Sequence, residues 1–228
     1  MILAIDTSGS LCGVAIWKSG EIFFAESDSA LRHNELLLNQ IHEFLQAQNV
    51  ALADLRAVAV SSGPGSFTGL RVGMAVAKGL CWSRQLPLIS VPTLDAYADT
   101  VSSRFKRTVP LMPARANEVY WSLYEWEAVS GWSAKTPCRV SSIGSLPGQV
   151  SGRIVLCGEG FIRHRAKLEE LFGERASVSD SIGPLVASVA HLAADRFASL
   201  QFEDLFQVEP AYHYPFLRQA ASGAGLGD

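Results

Sequence analysis

Gly63-Pro64-Gly65-Ser66-Phe67-Thr68-Gly69-Leu70-Arg71-Val72-Gly73 is the stretch on which the reading of this 228-residue chain turns. Just before it, residues 56–61 form an apolar run that reads as a buried strand. Just after its first glycines, residues 68–83 read as a helix. A glycine-rich loop between strand and helix exposes backbone amides, which favour an anion. It lacks the Lys-Ser/Thr ending of a P-loop, and Gly63, Gly65 and Gly69 are spaced wrongly for a dinucleotide fingerprint. The helix has a second property. Gly69, Gly73 and Ala77 are four apart, share one face, and let another backbone come close. Gly73 costs about 1 kcal/mol relative to alanine in a helix interior, so something should pack closely over it. That neighbour is either a second chain or this chain's own core. Flanked by Val72, Val76 and Leu80, and joined by Leu37 and Ile41 of the preceding helix, this face is the candidate interface.

Working outward, residues 2–6, 11–17 and 21–26 read as three consecutive strands with turn residues between them. Residues 33–48 place Leu37, Ile41, Phe44 and Leu45 near one helical face. Residues 86–91 form a further strand, and Pro92-Thr93 opens a helix towards Val101. The order β-β-β-α-β-α-β-α predicts a mixed five-stranded sheet, with helices 33–48 and 68–83 on one side of it. A looser version of the plan follows: strands over 109–114, 118–126, 132–140 and 154–157, then helices over 161–172 and 185–199. The expected organisation is an N-terminal lobe over 1–103, a C-terminal lobe over 104–220 and a disordered tail over 221–228.

Composition narrows the function. Charged residues make up 18% of the chain, against roughly 25% in an average domain, which suits either an oligomer or a compact enzyme. Nineteen basic residues against 22 acidic ones give a net charge of −3. A chain that holds nucleic acid by itself needs phosphate-neutralising charge, so any role on RNA requires a partner. No apolar stretch reaches a membrane span, and the first residues carry no basic segment of a secretory signal. Cys12, Cys81, Cys138 and Cys157 are scattered and form no CxxC, as expected of free thiols in a reducing cytoplasm. No two of the five histidines stand four apart, and His33 is followed at that spacing by Leu37, so no metal site is expected.

Asp6-Thr7-Ser8 ends the first strand. It is similar to the phosphate turn of actin, Hsp70 chaperones and sugar kinases, where an Asp precedes Gly and Thr or Ser. The glycine is missing here, and the other reading is a turn capped by its own side chains. Asp6, Thr7, Ser8, Gly63, Gly65 and Ser66 are the candidate anion- or nucleotide-proximal residues.

With the Gly63–Gly73 stretch, the start Ile2-Leu3-Ala4-Ile5-Asp6-Thr7-Ser8 and the segment Arg32-His33-Asn34-Glu35-Leu36-Leu37, the chain resembles the bacterial TsaB (YeaZ) family. Ala77-Lys78-Gly79-Leu80, Ala114-Arg115, Glu118-Val119-Tyr120 and the ending Pro215-Phe216-Leu217-Arg218 fit as well. The resemblance implies an α/β fold of actin/Hsp70/sugar-kinase (ASKHA) type: two lobes, each a mixed sheet with helices, the second reduced. It implies a non-catalytic subunit in forming N6-threonylcarbamoyladenosine at position 37 of tRNAs that read codons starting with A. The implied partners are a TsaD-like catalytic paralogue and a TsaE-like ATPase, with a homodimer when alone and tRNA met only through the complex. It implies no cofactor of its own, with ATP or ADP at the junction of the complex. One position departs: the family's usual Asp before Ala-Arg is Pro113 here. Two rival readings are an autonomous ATP-binding phosphotransferase or ATPase of the same fold, and a metalloprotease. For the first, Gly158-Glu159-Gly160 is the candidate adenosine loop, against a simple β-turn.

Overall fold

The computed structural model describes residues 1–27, 33–178 and 183–211. The first sheet has the order β3-β2-β1-β4-β5. Its strands are β1 (Ile2–Asp6), β2 (Cys12–Lys18), β3 (Glu21–Ser27), β4 (Ala57–Gly63) and β5 (Leu88–Pro92). β1 runs antiparallel to β2 and parallel to β4, and β4 runs parallel to β5. Every residue of β1 and β4 is buried, which is why both read as unbroken apolar runs rather than alternations.

Helices α1 (His33–Ala47) and α2 (Phe67–Arg84) cover one face. They share a core with Leu3, Ile5, Val14 and Val60 of the sheet. The expected five-stranded sheet with both helices on one side is therefore observed. Ser66 caps α2: its hydroxyl accepts a hydrogen bond from the amide of Gly69 at 3.2 Å. Helix α3 (Thr93–Asp99) lies on the other face.

The second sheet repeats the plan around β6 (Arg107–Pro113). β6 is antiparallel to β7 (Glu118–Trp121) and β8 (Tyr124–Glu127). β8 continues into a hairpin with β9 (Gly131–Ala134), and β10 (Arg139–Ser142) pairs with β7. After the short helix α4 (Leu146–Gln149), β11 (Ile154–Cys157) runs parallel to β6. Helices α5 (Glu159–Arg163) and α6 (Arg165–Phe172) then lead to β12 (Ala176–Val178), which is parallel to β11.

The last helix, α7 (Leu185–Ala198), corrects the expected division of the chain. It packs beside α3 and itself covers β1 and β2 of the first sheet, where Val186, Val189, Ala190 and Ala193 join Ala4 and Ala15 in the core. After it, Glu203 bridges to Leu88, and the amide of Ala211 donates to the carbonyl of Ser62 at 2.7 Å. Residues 185–211, placed by sequence in the C-terminal lobe, thus complete the N-terminal one. The expected tail 221–228 lies outside the described residues.

Candidate functional site

Asp6 ends β1, and the turn after it reverses the chain into β2. The Asp6 carboxylate accepts from the Ser8 amide at 3.1 Å and the Ser8 hydroxyl at 2.7 Å. This is an Asx-type turn closed on itself. Thr7 is fully buried, and its hydroxyl donates to the carbonyl of Gly69 at 2.7 Å. The Ser66 amide donates to the carbonyl of Ser8 at 2.7 Å. The glycine loop is thereby clamped to the β1 turn. A Cβ at Gly65 would stand 2.4 Å from the Ser8 carbonyl oxygen, and one at Gly69 would stand 2.1 Å from that of Thr7. These glycines exist so that loop and turn can touch.

This overturns the interface expected at Gly69, Gly73 and Ala77. A Cβ at Gly73 would lie 2.3 Å from the Thr7 hydroxyl, and Ala77 is fully buried against the first sheet. Leu37 and Ile41 are 1% and 3% exposed in the same core. The close neighbour that the small residues serve is β1 of the same chain. Val72, Val76 and Leu80 are half-buried and border the opposite, outer side. There Ala75 and Gly79, which the sequence reading passed over, are exposed, and a Cβ at Gly79 would meet nothing within 4 Å. Nearby in sequence, Arg71 stacks on the exposed ring of Phe67 at 3.8 Å.

The six candidate anion-proximal residues also separate. Thr7 and Ser8 are fully buried and spent on internal hydrogen bonds. Gly63 donates its amide to the Thr93 hydroxyl at 3.1 Å and faces a second cavity of about 270 Å³. That cavity is bounded by Pro64, Asp95, Tyr124 and Cys138. Of the six, Asp6 alone lines the cleft between the two sheets, a cavity of about 230 Å³. Its other walls include Gly9, Ser10, Glu26, Tyr97 and Glu159. Of these five, sequence reasoning had named only Glu159, as part of the candidate adenosine loop Gly158-Glu159-Gly160.

The cleft is acidic. Burial holds the Asp6 carboxyl above its ordinary pKa; the hydrogen bonds from Ser8 oppose this, and the charge of Glu159 adds to it. Burial likewise raises Glu26, helped by Asp6, while the amides of Val186 and Leu185 pull it back. The Tyr97 phenol is raised well above its usual range, chiefly by burial. Among the described lining residues there is no lysine or arginine. Among the described residues, no three His, Cys, Asp or Glu side chains converge as a metal ion would require. No helix in the described residues is long and apolar enough to cross a membrane. Pro113 ends β6 where the resemblance places an Asp, and Arg115 lies exposed in the following hairpin turn.

Two mixed sheets of repeated plan, helices on their faces and a cleft at the end of β1 define the actin/Hsp70/sugar-kinase-like class. Comparison with known proteins agrees. The family model for "TsaD: tRNA N6-adenosine threonylcarbamoyltransferase" matches residues 27–149. The chain is similar to the tRNA threonylcarbamoyladenosine biosynthesis protein TsaB of Haemophilus influenzae, 37% identical over 222 residues, 90% of this chain and 92% of that protein. The protein of the same name from Escherichia coli K12 is 32% identical over 165 residues, covering 70% of this chain and 71% of that protein. The solved structure of YeaZ from Pseudomonas aeruginosa superposes with a TM-score of 0.76 at 25% identity, covering 92% of this chain and 98% of that one. The chain belongs to the TsaB (YeaZ) family.

Proposed function

We propose that the chain is a non-catalytic subunit in the formation of N6-threonylcarbamoyladenosine in tRNA, pairing through the outer side of α2 with a catalytic paralogue of TsaD type. Its relatives bear the name of that biosynthesis, and a TsaD family model matches more than half of its length. The observation that carries the pairing is the stripe Val72, Ala75, Val76, Gly79 and Leu80, with open space above Gly79. α1 adds Leu38, 58% exposed. Small and apolar residues in an exposed stripe let a partner helix approach to the near end of the usual 8–10 Å. The non-catalytic role is supported by the spent polar groups of the β1 turn and glycine loop. In this reading, tRNA is met only through the complex, as a net charge of −3 favours. A TsaE-like ATPase joins the pair, ATP or ADP sits at the junction and not in a site of this chain's own, the lone chain pairs with itself through the same stripe, and the complex works in the cytoplasm.

Co-expression with the TsaD-type subunit, followed by sizing and a tRNA-modification assay, tests this. The expected result is a stable pair that modifies tRNA when the ATPase is added, and no modification by the lone chain. Gly79→Leu should fold normally yet pair at least about tenfold more weakly, since overpacking by a side chain costs about 1–3 kcal/mol. Turnover of ATP or modification of tRNA by the lone chain would refute the reading.

A further inference from the structure

The turn Gly158-Glu159-Gly160 is neither an adenosine loop nor an idle β-turn. Gly158 has φ +92°, and a Cβ there would stand 2.5 Å from the carbonyl oxygen of Leu111 on β6. A Cβ at Gly160 would stand 2.9 Å from the same carbonyl. Glycine on both sides lets the turn press on the β6 backbone, and the Glu159 side chain reaches across the cleft. Its Oε1 accepts from the Ser10 amide at 2.7 Å and also from the Ser10 hydroxyl. Gly9 makes room for it: a Cβ there would lie 2.8 Å from the same oxygen. Gly9 and the two donors of Ser10 therefore converge on one carboxylate oxygen of a residue 149 positions away, carried on a turn whose two glycines press on β6. At the start of α7, the Leu185 and Val186 amides favour the charged form of Glu26 and pull its pKa back.

We infer that Glu159 is a built-in anion ligand of the β1–β2 turn: its carboxylate occupies in cis the seat that Ser10 offers to an external anion, and ties the two sheets together across the cleft. Charge-assisted bonds to backbone amides are among the stronger hydrogen bonds, so the occupant is hard to displace. An incoming phosphate would also face Asp6 and Glu26 with no lysine or arginine among the described lining residues. The cleft is thus closed to phosphate-bearing ligands by the chain itself. This goes beyond the proposed partnership and does not depend on it.

Amide exchange followed residue by residue by NMR tests the inference on the full chain. In Glu159→Ala, the Ser10 amide should exchange about tenfold to a hundredfold faster, while those of central β1 stay as they were. Added acetate should restore protection in Glu159→Ala and change nothing in the unmodified chain. Gly9→Ala, which keeps Glu159 but pushes its carboxylate off the seat, should show the same acceleration. Inorganic tripolyphosphate should leave Ser10 of the unmodified chain unperturbed. Unchanged Ser10 exchange in either variant, failure of acetate to restore protection, or tripolyphosphate shifting Ser10 in the unmodified chain would each overturn it.

Discussion

Gly73→Leu puts the packing of α2 to a direct test. The leucine Cβ alone would stand 2.3 Å from the Thr7 hydroxyl and 3.5 Å from a Val60 methyl. Neither can retreat easily. Thr7 directly follows β1, which is held between β2 and β4, and Val60 lies within β4. The hydroxyl must give up its bond to the Gly69 carbonyl, a loss of about 1 kcal/mol. Overpacking adds about 1–3 kcal/mol, here at the upper end because the obstacle is strand and not side chain alone. Leucine's better helix propensity returns somewhat under 1 kcal/mol. The net destabilisation is about 3 kcal/mol. In a domain of this size each kcal/mol moves the melting temperature by about 2–4 °C, so a fall of about 6–12 °C is expected. Calorimetry or thermal circular dichroism of the purified variant beside the unmodified chain reads it directly. A variant that melts with the unmodified chain, and whose only defect is in pairing, would refute the inward packing and restore the interface that the sequence suggested.

At Gly79 the same type of change has the opposite sign: Gly79→Ala should raise stability by up to about 1 kcal/mol, measured by urea denaturation, since its Cβ meets nothing and only helix propensity changes. Asp6 is an acid whose folded pKa is raised by burial, so its contribution is fully present below the unfolded value of 3.8 and is lost as pH climbs through the folded value. Asp6→Asn keeps an acceptor for Ser8 without the buried charge. Its stability relative to the unmodified chain should rise with pH over that interval in a series of melts, and a flat difference would contradict the assignment. Burial pushes the Cys138 thiol up to about 12, so iodoacetamide near neutral pH should label it at least about a hundredfold more slowly than free cysteine, read by peptide mass spectrometry.

The first sheet was legible because β1 and β4 are buried on both faces and their apolar runs carry little ambiguity. The second sheet was less so. The run read as one strand over 118–126 changes partners midway: β7 pairs with β10, and β8 with β9. The break falls at Ser122 and Leu123, where Thr136 accepts from the Ser122 hydroxyl and the Leu123 amide. The run over 132–140 breaks likewise between β9 and β10, around Pro137. The helix read over 161–172 divides at His164, whose φ of −120° is not helical. Nothing in spacing announces a change of hydrogen-bonding partner. The return of α7 to the first sheet was hidden for a related reason: its apolar face fits a sheet but does not say which one. In the cleft, Asp6 was found because it ends a strand beside turn residues. Ser10, Glu26 and Tyr97 come from three separate places in the chain and have no local pattern. The one available signal was a glutamate set between two glycines, which marks a turn pressed against backbone and a side chain forced outward.

The misassigned face of α2 carries the wider lesson. Helical periodicity tells which residues share a side but not which side is inside. α2 has small residues on both: Gly69, Gly73 and Ala77 on one, Ala75 and Gly79 on the other. What separates them is Thr7. Its hydroxyl needs a buried acceptor, and the nearest carbonyl is that of Gly69, reachable only if α2 lies against the end of β1 without a Cβ between them. Satisfying that one polar group fixes the rotation of the helix, turns Gly73 and Ala77 inward, and leaves Ala75 and Gly79 facing out. The same economy runs through the rest of the molecule. The glycine loop gives its amides to Ser8 and Thr93, and the β1 turn gives Ser10 to Glu159. At these positions the fold holds itself, and the surface proposed here for a partner is the outer side of α2.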